Sequence, residues 1–200
     1  MSISYQLNRL KDNTSNGVQP ALQKLQASLL PAAEQAGYRV WGIFFGLFGL
    51  ATNELYLVTM RDQPDDALSD LIAAESLQLQ QTFDLIPTVR PVQHEPRTAR
   101  GIYVFRWFDV RTQDVTEIAQ LSEAAWVTFE GGFDTEVQGL FAERKPDADL
   151  GKMLLVTRYR DLSVWEASRR PPPEAGEHFA KRHQLTIEAT PIATRLVGAV

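Results

Sequence analysis

Apolar and polar residues alternate at the start of the chain, Ile3, Tyr5 and Leu7 against Ser4, Gln6 and Asn8. A period of two with one polar face predicts a half-buried strand over residues 3–10. After the polar turn 11–17 the period lengthens. Leu22, Leu25 and Leu29 follow at spacings of three and four, with Leu30 beside them, so an amphipathic helix is expected over 18–36. Pro20 suits its first turn and Gly37 its C-terminal cap. Pro31 should kink or break it near Leu30, because its ring clashes with the preceding turn. Strands are expected again at 39–48 and 55–61, joined across Gly46, Gly49 and Asn53. A second helix should start at Pro64, capped by Asp65 or Asp66, and continue through Leu79. The strand expected at 82–92 contains Pro87 and Pro91, which push it toward a sheet edge. This half reads β-α-β-β-α-β.

The polar, proline-containing stretch Gln93–Arg100 is the natural joint, and after it the order restarts. Strands are expected at 101–108, 135–143 and 152–159, with a helix at 114–131. The restart is a repeat. Val40-Trp41-Gly42-Ile43-Phe44 is echoed 97 positions later by Val137-Gln138-Gly139-Leu140-Phe141. Leu57-Val58-Thr59 is echoed 98 positions later by Leu155-Val156-Thr157. Self-similarity at half the chain length sets the architecture. The expected organisation is one repeat over 1–93 and a second over 100–200. The halves differ most in a proline-rich insertion near 166–183. There a helical stretch, 162–170, meets Pro171-Pro172-Pro173, which cannot continue a helix. A polar helix over 174–183 follows. Such an insertion is often a lid or a packing arm.

The repeated order is ferredoxin-like: a four-stranded antiparallel sheet with both helices on one face. Its other face needs cover, or it is an aggregation surface. The fold class expected is therefore α+β, with tandem ferredoxin-like repeats packed sheet to sheet as an intramolecular barrel. Further homodimerisation would use the helices or the Pro171–Pro173 arm.

Composition narrows function mainly by exclusion. A hydrophobic share of 44% allows a full core. A net charge of −5, spread along the chain, argues against nucleic acid as a partner. The chain has no cysteine, so thiol nucleophiles, disulfides and zinc–thiolate sites are excluded. The apolar run Val40–Ala51 is shorter than the ~20 residues a membrane-spanning helix needs. The N-terminus has no basic segment followed by an apolar one. A soluble cytoplasmic protein is expected.

The usual catalytic signatures are missing. There is no Gly-x-Ser-x-Gly elbow, and the Gly42, Gly46, Gly49 spacing is not a phosphate loop. His178 and His183 are five apart, which does not stack them on one helix face. Glu174 and His178 could share a face, most simply as a solvated pair. Arg158, Arg160, Arg169 and Arg170 form a basic cluster, expected to pair with Glu166 or Glu174, or else to hold an anion. Arg106 differs, because it lies inside an alternating strand. Aligning the halves puts Asn8 opposite Arg106. The face with Ser4, Gln6 and Asn8 is the less apolar one, so it and Arg106 are expected on the open side. The plainer alternative is a strand-end arginine reaching water. A ligand, if bound, is expected against Trp41, Arg106 and Tyr159, with no cofactor and no metal. Trp41 and Tyr159 would supply apolar surface with a polar tip, and Arg106 a donor fork for a carboxylate, enolate or carbonyl oxygen. A slip of one residue in register would make both aromatics core.

Two stretches resemble the NIPSNAP group of the dimeric α/β-barrel superfamily. One is Ile102-Tyr103-Val104-Phe105-Arg106-Trp107. The other is Leu154-Leu155-Val156-Thr157-Arg158-Tyr159-Arg160-Asp161-Leu162, with the helix Trp165–Arg169 after it. The resemblance implies the tandem fold and a small apolar or aromatic ligand bound between the two sheets without a cofactor. Relatives with this barrel include cofactor-independent monooxygenases, so monooxygenase or isomerase chemistry is the alternative. A protein-interaction module with a filled barrel is the third reading. Other relatives are haem enzymes; a haem would need His94 or His183 as its axial ligand.

Overall fold

A computed structural model of the chain describes residues 3–62 and 67–198. The chain divides into two compact units. The first holds Met1–Ile86, His94–Ala99 and Thr194–Val200, and the second Pro87–Gln93 and Arg100–Ala193.

In the first unit the strands are β1 (Ser4–Lys11), β2 (Arg39–Phe48), β3 (Glu54–Arg61) and β4 (Gln78–Arg90). They pair antiparallel in the order β4-β1-β3-β2. Between β1 and β2 the chain is helical as α1 (Gln19–Lys24), a π turn (Leu25–Leu29) and α2 (Leu30–Gln35). Pro31 does not break this helix. The backbone N–H of Leu30 donates to Leu25 O, five residues back. The wider turn makes room for the proline ring, which an α turn would press against a carbonyl. α3 (Ala67–Ala74) follows β3. The cap expected at Asp65 or Asp66 lies outside the described residues. α3 also stops five residues short of Leu79, and Ser76 at φ 55° turns the chain into β4.

The second unit repeats the order. Its strands are β5 (Ile102–Arg111), β6 (Thr135–Glu143), β7 (Leu150–Tyr159) and β8 (Thr186–Leu196), arranged β8-β5-β7-β6. α4 (Val115–Gly132) links β5 to β6. α5 (Leu162–Ala167) and α6 (Pro173–Leu185) flank the proline stretch. In both units the sheet packs its helices on one face. In the first, Leu22, Leu25 and Leu29 meet Leu55, Leu57, Leu68 and Ile72 in one buried cluster.

The polar residues of β1 lie on this helix side, not on the open side expected for them. Asn8 pairs with Leu57 and Gln6 with Thr59, and directly opposed residues share a face. The polar groups are buried because they satisfy one another. Asn8 Nδ2 donates to Gln6 Oε1 at 3.2 Å, Gln6 Nε2 to Asp84 Oδ1 at 3.2 Å, and Thr82 Oγ1 to Asn8 Oδ1 at 2.8 Å. Low hydropathy therefore marked a hydrogen-bonded interior, not exposure. Arg106, at the equivalent position and paired with Leu155, is also on the helix side of its sheet.

The echoed motif is a β-bulge. In β2 the register shifts between Val40 and Gly42, and in β6 between Val137 and Gly139. Each glycine lies under a buried phenylalanine ring two residues on. A Cβ on Gly139 would lie 2.5 Å from Phe141 Cε2 and 3.1 Å from Pro91 Cδ. One on Gly42 would lie 2.5 Å from Phe44 Cζ. Neither ring can retreat from a filled interior. Gly139→Ala is therefore expected to destabilise the protein by about 1–3 kcal/mol. Gly131→Ala in α4, with open space around it, should stabilise by up to about 1 kcal/mol. Denaturant unfolding of the two variants checks the contrast.

Candidate functional site

The second unit contains a cavity of about 220 Å³ between its sheet and its helices. Arg106 on β5, and Leu155, Thr157 and Tyr159 on β7, form the floor. These positions share a face, since Arg106 pairs with Leu155 and Val104 with Thr157. Trp126 and Phe129 from α4 and Phe179 from α6 form apolar walls, with Phe179 edge-on to Phe129 at 5.4 Å. Ser168, Arg169 and Pro171, from the insertion, complete the rim, and Arg182 of α6 lies along one side. The insertion thus packs over this unit's own cavity.

Three guanidinium groups line the cavity. Arg182 is only 7% exposed. Its Nη1 donates to Ser122 Oγ at 3.3 Å, and its charge rests on the rings of Phe179 (4.7 Å) and Phe108 (5.1 Å). Arg169 Nη2 donates to Ser168 Oγ at 3.0 Å and to Tyr159 Oη at 3.4 Å. Arg106 has no hydrogen bond to the described residues, and no carboxylate of those residues pairs with any of the three. Burial holds the Arg106 guanidinium below the usual arginine range, and the Arg169 charge lowers it further. Burial, helped by the charge of Arg106, pushes Arg182 down to about 10. Guanidinium groups are charged at neutral pH.

The carboxylates nearby are engaged elsewhere. Glu130 Oε1 accepts from Arg90 Nη1 at 2.7 Å and from the backbone N–H of Val137 at 2.6 Å, which ties α4 to the β6 bulge. Asp161 caps α5 by accepting from Val164 N at 2.9 Å and also pairs with Arg160. Arg158 and Arg160 each approach Asp134 at 3.7 Å. The ion-pair partners in the basic cluster are thus Asp134 and Asp161, not the expected Glu166 or Glu174.

The structure brings Arg106 and Tyr159 together, on the helix side of one sheet. Trp41 is in the other unit. It is fully buried at the β2 bulge, edge-on to Tyr5 at 6.0 Å and beneath the Arg97 guanidinium at 5.5 Å. It borders a separate groove with Leu30, Tyr38 and Val197. Sequence reasoning missed Arg182, but a signal was present. Ala175, Phe179 and Arg182 are spaced four and three apart, so the arginine continues the apolar stripe of α6.

The histidines do not fit a haem in this cavity, since none lines it. His183 is exposed, and His94 Nδ1 is 2.9 Å from the Tyr5 hydroxyl in the first unit. No cluster of metal-ligating side chains occurs among the described residues. None of their helices is long and apolar enough to cross a membrane.

A buried charge at Arg182 and a half-buried one at Arg106, neither paired with a carboxylate of the described residues, destabilise the free protein. Arg106→Met should therefore leave stability unchanged or raise it by about 1 kcal/mol. A structural arginine would instead lose stability on replacement. Thermal and urea unfolding without added ligand make the measurement.

No protein-family model and no curated protein matches the sequence. Solved structures do match its fold. A candidate chlorite dismutase is 11% identical, with 98% of this chain and 95% of that one covered and a TM-score of 0.64. A candidate monooxygenase from Fusobacterium nucleatum is 11% identical, over 98% and 93%, at 0.63. A mutant chlorite dismutase from Candidatus Nitrospira defluvii is 9% identical, over 98% and 92%, at 0.59. With both units reading β-α-β-β-α-β and these likenesses running nearly end to end, the chain has the tandem ferredoxin-like α+β fold of the dimeric α/β-barrel proteins.

Proposed function

We propose that the chain binds a small aromatic or apolar molecule carrying an acidic or carbonyl oxygen, without a cofactor, in the cavity of its second unit. One observation carries this reading. Arg106 faces an aromatic-walled cavity and makes no hydrogen bond to a described residue. A desolvated guanidinium in that position is matched by a ligand oxygen supplied from outside. Trp126, Phe129 and Phe179 supply flat apolar surface for the rest of the molecule. The NIPSNAP-like stretches in β5 and β7 contribute to the floor of this cavity, which lies between sheet and helices and not between the two sheets, where a ligand was expected.

Cofactor-independent monooxygenase or isomerase chemistry is the second reading. The Tyr159 hydroxyl, 3.4 Å from Arg169 Nη2, favours it. A phenol among cationic groups can donate to an oxygen that gains charge as an enolate forms. The monooxygenase names among the structural neighbours point the same way, although the fold alone does not choose a reaction.

The test is thermal shift and calorimetric titration against aromatic and fatty monocarboxylates. Arg106→Ala should weaken binding by about 1.5–3 kcal/mol, and Arg106→Lys should not fully restore it. Equal response from wild type and both variants would remove Arg106 from the site.

A further inference from the structure

The number of charges around the cavity goes beyond what one acid group needs. Arg106, Arg169 and Arg182 all line it, so three positive charges border about 220 Å³. A single carboxylate can accept a bidentate fork from one guanidinium and leaves the others uncompensated. The hydroxyls of Thr157 and Tyr159 at the wall add donors of the same polarity, while that of Ser168 donates to Trp165 O. The polar part of the lining is thus mostly cationic or hydrogen-bond donating, while Trp126, Phe129 and Phe179 are flat and apolar.

Resting on the binding reading above, we propose that the natural ligand is an aromatic dianion, with two negative charges set close together on or beside one ring. Adjacent carboxylates and a phosphate monoester share this chemistry. One charge is met by Arg182, which is buried, and Arg106, which is half-buried. The second is met by Arg169 at the rim, which already donates to the wall through Ser168 and Tyr159. The ring lies against Trp126 and Phe129. Mutual repulsion of the guanidiniums supports the assignment, since Arg106 and Arg169 both disfavour the charge on Arg182.

The test is calorimetric titration of the full chain at pH 8 with benzamide, benzoate, phthalate and phenyl phosphate. One or both dianions should bind about 10- to 100-fold more tightly than benzoate, the gain for one further charge-assisted contact. Whichever dianion is preferred separates the dicarboxylate from the phosphate source. Arg182→Met and, independently, the rim variant Arg169→Met should each bring the preference to within about threefold of unity. Arg170→Met, on the adjoining surface patch, should leave it intact. Equal binding of benzoate and both dianions overturns the dianion assignment and leaves the binding reading standing. So does a preference that survives both Arg182→Met and Arg169→Met, or one that Arg170→Met abolishes. No binding of any of the four probes overturns both.

Discussion

The second unit is built around charge that has been taken out of water. A guanidinium removed from solvent carries a penalty of several kcal/mol unless something replaces its hydration. Here the replacements are partial. Arg182 has one hydroxyl and two ring faces, and Arg106 has no hydrogen bond to the described residues. The surrounding elements keep it so. α6 carries Arg182 and Phe179 inward together, and the bulge in β6 engages Glu130 with the Val137 amide and Arg90. The Glu130 carboxylate is occupied in holding helix to sheet. Such an arrangement is costly to stability and useful for binding.

The two repeats show what the same scaffold does with and without that charge. Both have a bulge under a phenylalanine, and both place a threonine in the middle strand, Thr59 and Thr157. At the position of Arg106 the first unit has Asn8, tied into a polar chain with Gln6, Thr82 and Asp84. At the position of Tyr159 it has Arg61, which rests on the Tyr38 ring at 4.5 Å. The space left there is about 10 Å³, roughly enough for one water molecule. The first unit has closed its cavity with polar side chains, Asp84 among them, that hydrogen-bond one another. The second has kept one open with cations that do not.

Strands, helices and the repeat were legible because period-two and period-three-to-four patterns follow directly from backbone geometry. Alternation within β5 put Arg106 on one face with Val104, and the pairing of Arg106 with Leu155 and Val104 with Thr157 keeps that face. The side of the sheet was not legible. Ser4, Gln6 and Asn8 look like a solvent face by composition, but Gln6 and Asn8 are interior, hydrogen-bonded to residues about 75 positions away. Trp41 lies in the other unit, against Tyr5 and Phe44, and nothing in the pattern of the strands told the two units' spaces apart. Arg182 was hidden by its neighbours Lys181 and His183, which make the segment look uniformly polar, although the stripe through Ala175 and Phe179 marks its inward face.

The most direct measurement is a crystal structure of the protein soaked or grown with an aromatic acid that it binds in solution. The account predicts the ring between Trp126 and Phe129, with acid oxygens about 2.7–2.9 Å from the guanidinium nitrogens of Arg106 or Arg182. A ligand seated elsewhere, with the second-unit cavity empty or closed by its own side chains, would contradict it.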